Sequence, residues 1–235
     1  MFRSFLQGAL ELIFPDNCLL CRQFLNSRHQ RQLCPQCLDT LSLNPTPFSR
    51  QNQNGPGHSF LSDQVRSTFD AAWSVCLYNE PAQKLLHAFK YNSKTSLHKT
   101  FVPLMIDFID RYHIPLQEFD LISPIPLHPV RLRERGYNQS TLLSLALSKH
   151  YGVPHTENLL IRQKNTHTQT ELGAKQRWTN MEGAFRIKNP SDVTGRTIIL
   201  IDDLFTTGAT LQSAAETLKA AGAARVCVLT LSMTI

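Results

Sequence analysis

Two stretches of this sequence carry residue types and spacings suited to chemistry. The first is Cys18-Leu-Leu-Cys21, twelve intervening residues, then Cys34-Pro-Gln-Cys37. Each CxxC step turns two thiolates toward one point, and two such steps have the ligand spacing of a structural zinc site. Four soft thiolates around a tetrahedral ion favour Zn²⁺ and leave no position open for water, so such a site is structural. Two disulfides, a redox CxxC or an iron–sulfur cluster are the competing readings, and disulfides conflict with a cytoplasmic chain. His29 lies between the pairs and, beside a complete set of four cysteines, reads as a solvated loop residue. Cys76 and Cys227 stand alone in apolar runs and read as buried small hydrophobes.

The second stretch is Ile198-Ile-Leu-Ile-Asp202-Asp203-Leu-Phe-Thr206-Thr207-Gly208-Ala209-Thr210, followed by a helical pattern. It reads as a buried strand ending in two carboxylates, a short Thr/Gly loop and a helix start. That combination lies at the carboxyl edge of a parallel sheet, where open α/β sheets bind ligands. The helix N-terminus offers unpaired N–H groups and the positive end of a dipole to a phosphate. Gly208 lets the backbone approach, and the Thr hydroxyls add donors. Two carboxylates beside an anion site make sense if they grip hydroxyls or Mg²⁺. The pieces describe a sugar phosphate, with ribose hydroxyls on Asp202 and Asp203 and the 5′-phosphate in Thr206, Thr207, Gly208, Ala209 and Thr210. The plain alternative leaves the acids at a strand-end surface, with Thr206 or Thr210 as a helix cap. Replacing both acids by Asn is expected to abolish binding and leave the unliganded fold nearly unchanged.

Basic segments surround these stretches. Ser123-Pro-Ile-Pro-Leu-His128-Pro-Val-Arg131-Leu-Arg133-Glu-Arg135-Gly136-Tyr137-Asn138 follows a strand and precedes a helix. Arg131 and Arg135 could neutralise a diphosphate through bidentate hydrogen bonds, or the segment is a solvated charged loop. Asn138 reads as the helix cap. From Ile161 to Lys188 there are six Lys/Arg against Glu171 and Glu182, a polar stretch that suggests a lid. Lys90 falls near a helix end, where it either binds diphosphate or complements that helix's dipole.

The elements that must position these residues alternate. Strand patterns cover Ala72–Tyr78, Phe119–Ile125, a weak Asn158–Ile161, Arg196–Ile201 and Val226–Ser232; helix patterns cover Ala82–Tyr91, Ser96–Tyr112, Asn138–Tyr151 and Ala209–Ala221. Continuous apolar strands imply a parallel sheet with helices on both faces. The polar run after Leu43 divides the chain into residues 1–45 (the zinc-binding module with an N-terminal helix), a linker over 46–68, and an α/β domain over 69–235. Around forty residues bury little core, so metal binding would supply most of the module's folding energy. The chain has 235 residues, 42% hydrophobic, and a net charge of +6, which favours anionic partners such as phosphates or nucleic acid. No apolar run approaches a membrane span, and residues 2–14, broken by Gln7 and Glu11, do not read as a secretory signal. A soluble, cytoplasmic protein is expected.

The segment from Ile198 to Thr210 closely resembles the phosphoribosyl-diphosphate (PRPP) signature of type I phosphoribosyltransferases. Taken with the paired CxxC motifs, Ala88-Phe-Lys-Tyr-Asn-Ser-Lys94, the Pro124–Gln139 segment and the pattern Arg162, Thr168, Gln169, Arg177, Asn180, the whole chain resembles the ComF family of competence proteins. The resemblance implies a zinc module on a type I phosphoribosyltransferase-like domain that binds PRPP with Mg²⁺. It implies a glycosyltransferase acting in natural transformation beside the DNA-uptake machinery, on or near single-stranded DNA, with Trp178 or Tyr137 able to stack on bases. A non-catalytic module binding PRPP or single-stranded DNA is the alternative. Leu204 and Phe205 are bulkier than is usual in this loop, which is expected to alter the acceptor pocket.

Overall fold

The computed structural model describes residues 17–25, 32–45, 68–164, 181 and 183–234. The helix expected over residues 2–14, His29, nearly all of the linker, and the lid residues Thr168 to Asn180 lie outside them.

The body is a four-stranded parallel sheet in the order β1-β6-β5-β2, with β1 at Ala71–Leu77, β2 at Leu121–Pro124, β5 at Thr197–Phe205 and β6 at Arg225–Met233. Ile198, Ile199, Leu200 and Ile201 are all fully buried, because β5 is central and covered on both faces. Ile199 and Ile201 join a core with α2 (Glu80–Tyr91), α3 (His98–Arg111) and α5 (Gln139–Tyr151). Ile198 and Leu200 join a second core with α6 (Ala209–Ala220) and a small antiparallel ribbon of β3 (Leu160–Arg162) and β4 (Phe185–Ile187). The strand period of two thus distributes one apolar run between two helical layers.

Helix ends fall where side chains can cap them. Asn79 accepts from the Ala82 N–H at 3.0 Å to start α2, and Asn138 accepts from the Ser140 N–H at 3.1 Å to start α5. Three features differ from the sequence reading. Residues 95–97 form a 3-10 turn ahead of α3. Pro129–Arg135 is a short helix, α4, rather than a loop; His128 caps its start, and Gly136, at φ 79°, ends it. β5 does not stop at Asp202 but pairs with β6 as far as Phe205 opposite Met233.

The cysteine segment is bound to this body. Leu43 bridges antiparallel to Cys76, and the Asn44 and Leu77 amides donate to Val75 and Ser42 carbonyls at 2.9 and 2.8 Å. Leu25, Leu33 and Leu41 are buried in the same core as α2 and α3. Cys76 and Cys227 are buried, and burial pushes the Cys76 thiol up to about 11.

Candidate functional site

Asp202 and Asp203 lie on β5, and each meets a different partner. Lys90, in the last turn of α2, places its Nζ 2.8 Å from a carboxylate oxygen of Asp203, and both side chains are largely buried. Lys90 thus stands in the last turn, where it complements the helix dipole, and also makes a specific ion pair with Asp203. Burial alone would push the Lys90 ammonium down; the Asp203 carboxylate, with Asp202 behind it, outweighs that and raises it above the usual lysine value.

Asp202 accepts from the Ser140 hydroxyl at 2.8 Å and from the Asp203 N–H at 2.9 Å. The residue keeps some exposed surface, but its carboxyl group is enclosed by protein. Burial first, and the adjacent Asp203 charge second, push it up to about 6, against the opposing pull of Lys90 and these hydrogen bonds. A carboxyl group with a raised folded pKa contributes stability that is complete below its unfolded pKa and lost as the pH rises through the folded one. Asp202→Asn, which mimics the protonated form, should therefore raise the melting temperature of the unliganded protein by about 4–8 °C at about pH 8, equivalent to roughly 2 kcal/mol. The gain should fade between about pH 6 and pH 4; thermal melts across that range check it.

Residues 206–208 connect β5 to α6, and Ala209 and Thr210 begin the helix. Gly208 has φ +77°, a backbone conformation that favours glycine, and a Cβ there would stand 3.0 Å from Phe205 Cζ, so the ring would have to give by a few tenths of an ångström. Gly208 stands at the N-cap position, and the Thr207 hydroxyl accepts from the Ala209 N–H at 3.5 Å at the start of the helix. Phe205 is buried edge-on against Phe69, with ring centroids 6.3 Å apart. Leu204 and Phe205 are thus strand positions, and the bulk of Phe205 goes into the core rather than into a loop.

Because α4 is helical, Arg131 and Arg135 are four residues apart on one face, with Arg133 directed away from them. Arg131 pairs with Glu134 at 3.3 Å. Arg135 donates to Gln139 Oε1 at 2.7 Å and lies over the Tyr91 ring at 5.1 Å. The Phe89 carbonyl accepts from both Tyr137 and Gln139, which ties the α4–α5 corner to the residue before Lys90. Tyr137 is half-buried with its hydroxyl committed, so it forms a wall rather than an exposed stacking platform. Arg162 on β3, which the sequence reading gave to the lid and to the family pattern without a role at the site, also lies near the carboxylates. Burial lowers its pKa, Asp202 supports its charge, and Arg131 opposes it. Lys90 on α2, Arg131 and Arg135 on α4 and Arg162 on β3 thus bring four cations to this edge of the sheet from three separate elements.

At the other end, the sulfur atoms of Cys18, Cys21, Cys34 and Cys37 all lie within 4.8 Å of one another. A tetrahedral ion with Zn–S bonds of about 2.3 Å requires sulfurs roughly 3.8 Å apart, and Cys21 and Cys34 are separated by 3.6 Å. Backbone N–H groups of Cys34 and Cys37 donate to the Cys18 and Cys34 sulfurs at 3.5 and 3.4 Å. Burial pushes the Cys18 thiol up, but backbone N–H groups outweigh it and bring it down to about 6. Burial and the other three cysteines push Cys37 up to about 12. A cluster that ionises one thiol easily and resists ionising another fits a bound cation, which would let all four ionise together.

Residues 145–232 match the phosphoribosyl transferase domain family. With the parallel sheet and its two helical layers, this makes the body a type I phosphoribosyltransferase-like α/β fold, preceded by a four-cysteine cluster able to hold a metal. Among curated proteins, the chain is 30% identical to DNA utilization protein YhgH of Escherichia coli over 95% of this chain and all of that one. It is 37% identical to competence protein ComFC of Bacillus subtilis, over 92% and 84% of the two chains, and 33% identical to competence protein F of Haemophilus influenzae, over 64% and 67%. The chain belongs to this ComF family. Among solved structures, it is similar to the glutamine PRPP amidotransferase of B. subtilis complexed with ADP and GMP, at 17% identity and a TM-score of 0.42, over 61% of this chain and 30% of that one. Among the described residues, no helix is long and apolar enough to cross a membrane.

Proposed function

We propose that the carboxyl edge of the sheet binds PRPP with Mg²⁺. The observation that carries this reading is the Lys90–Asp203 pair beside Asp202, followed directly by a Gly208-led helix start. In this reading Asp202 and Asp203 take ribose hydroxyls and the metal, and Thr206, Thr207, Gly208, Ala209 and Thr210 take the 5′-phosphate. Lys90 supplies positive charge to Asp203 in the unliganded protein and turns toward a diphosphate oxygen when the site fills. Arg131 and Arg135 lie on the same side and absorb the remaining diphosphate charge. Mg²⁺, when bound, neutralises the leaving diphosphate. Cys18, Cys21, Cys34 and Cys37 hold a structural Zn²⁺, for which four thiolates are the matching donor set.

The activity is phosphoribosyl transfer: an acceptor nucleophile bonds to C1, the C1–O bond breaks, and diphosphate leaves with the electron pair. The names of the relatives support a role in natural transformation, and the net charge of +6 suits single-stranded DNA as partner. Incubation with PRPP, Mg²⁺ and a single-stranded oligonucleotide, followed by assay of free diphosphate, tests it. Release above the oligonucleotide-free control, absent in Asp202→Asn, is expected. Bound PRPP that stays intact with the oligonucleotide would reduce the protein to a binding module.

A further inference from the structure

Gln139, the first residue of α5, is only 1% exposed. A buried amide is costly unless its oxygen and its nitrogen both find partners. Here the two partners come from different helices. Gln139 Oε1 accepts from Arg135 Nη1 at 2.7 Å, and Nε2 donates to the Phe89 carbonyl at 3.0 Å. A guanidinium only donates and a carbonyl only accepts, so this pairing fixes which way round the amide sits. The Phe89 carbonyl lies in the last turn of α2, where backbone carbonyls lack a helical partner, and Tyr137 donates to it as well. Gln139 thus ties the end of α4 to the end of α2, one residue before Lys90.

The neutrality of this partner matters as much as its position. Arg131 shares its charge with Glu134. Arg135 contacts no carboxylate among the described residues; the Gln139 amide and the Tyr91 ring, 5.1 Å away, hold it instead. Only one of its nitrogens is spent on Gln139, so further N–H donors of the fork stay available. Its charge also opposes that of Lys90, so the two cations lie near enough to repel. Two cations held close, one of them uncompensated, suit a ligand with negative charge on neighbouring oxygens, which is the chemistry of a diphosphate. A glutamate at position 139 would fill the same space and cancel the Arg135 charge. Glutamine holds the guanidinium without cancelling it.

We propose that Gln139 is a positioning residue for a diphosphate group: it holds the Arg135 guanidinium and the Lys90-bearing end of α2 at a fixed spacing and leaves Arg135 its charge. The identity of the anion rests on the reading of this edge as a PRPP site. Inorganic diphosphate and ribose 5-phosphate, the two parts of PRPP, are the probes, titrated with Mg²⁺ into the full chain by calorimetry. Gln139→Met keeps the length of the side chain and loses both hydrogen bonds; Gln139→Glu keeps the hold on Arg135 and neutralises it. Each is expected to weaken diphosphate about tenfold, the worth of one hydrogen bond to a charged group, while ribose 5-phosphate keeps its wild-type affinity. A general loosening of the fold would weaken both probes alike. If neither variant folds, Arg135→Lys, at the half-buried end of the contact, decides: it keeps a charge, loses the fork that Gln139 holds, and should weaken diphosphate by a similar factor. Undiminished diphosphate binding in the variants, a parallel loss of both probes, or no diphosphate binding by the wild type would overturn the inference. Gln139-dependent diphosphate binding in a wild type that PRPP fails to stabilise would support the positioning role and overturn the PRPP reading.

Discussion

Asp203→Asn should lower the stability of the unliganded protein by about 3 kcal/mol, near the low end of the range for breaking a buried ion pair. In a domain of this size that corresponds to a fall of roughly 6–12 °C in melting temperature. The cost arises because Lys90, only 20% exposed, would keep its charge and lose its closest counterion. The adjacent change, Asp202→Asn, has the opposite sign, since Asp202 is the carboxylate that burial and Asp203 burden. Combining Asp203→Leu with Lys90→Met should recover most of the loss, because a well-packed apolar pair replaces a buried ion pair at little net cost. Thermal melts of the two single variants and the double variant at about pH 8 separate these effects. Equal destabilisation by both Asn substitutions would contradict the assigned pairings.

Removing the metal proposed for the four cysteines should have the other large effect. Cys34 supplies a sulfur that also caps α1 (Pro35–Asp39) by accepting from the Cys37 N–H; Cys34→Ser keeps a capping hydroxyl, so its effect reports the lost metal ligand. Metal analysis should give close to one zinc per chain for the wild type and markedly less for Cys34→Ser. The damage should not stop at the cysteines. The Gln32 backbone N–H donates to Thr100 Oγ1 at 3.3 Å, its side-chain amide donates to Ser96, and Leu33 is buried beside α3. Asn79 donates to the Thr40 carbonyl at 2.9 Å while capping α2. Amide exchange is therefore expected to quicken at residues 96–100 as well as at 17–25 and 32–44 when the metal is withdrawn. Unchanged exchange in the α/β body of the metal-free protein would show that the segment merely rests on it.

Much of this arrangement is legible in the sequence because it is local. The run Ile198–Ile201, the Thr/Gly loop and the period of α6 fix a strand, a turn and a helix within some two dozen residues, and the structure keeps them in that order. What escapes is short or distant. α4 spans seven residues, too few for a helical period to rise above its charges, so Arg131 and Arg135 do not reveal their common face. β3 and β4 have three residues each and find one another across the lid, which leaves Arg162 without a local signal. The Lys90–Asp203 pair joins two elements separated by most of the α/β body, and nothing near either residue announces it. In the sequence the two acids look equivalent, and replacing both looks harmless to the fold; their opposite energetic roles come from which helix each one meets.

If Asp202 and Asp203 hold PRPP together with Mg²⁺, titration of PRPP into the zinc-loaded protein with and without Mg²⁺, followed by calorimetry and melting temperature, should show it. With Mg²⁺ present and PRPP at about a hundred times its dissociation constant, the folded state should gain about 2.7 kcal/mol. Without Mg²⁺, or in Asp202→Asn, most of that gain should disappear even though the variant itself melts higher than the wild type. PRPP binding that is equally strong without Mg²⁺ and undiminished in Asp202→Asn would place the ligand elsewhere and contradict the account.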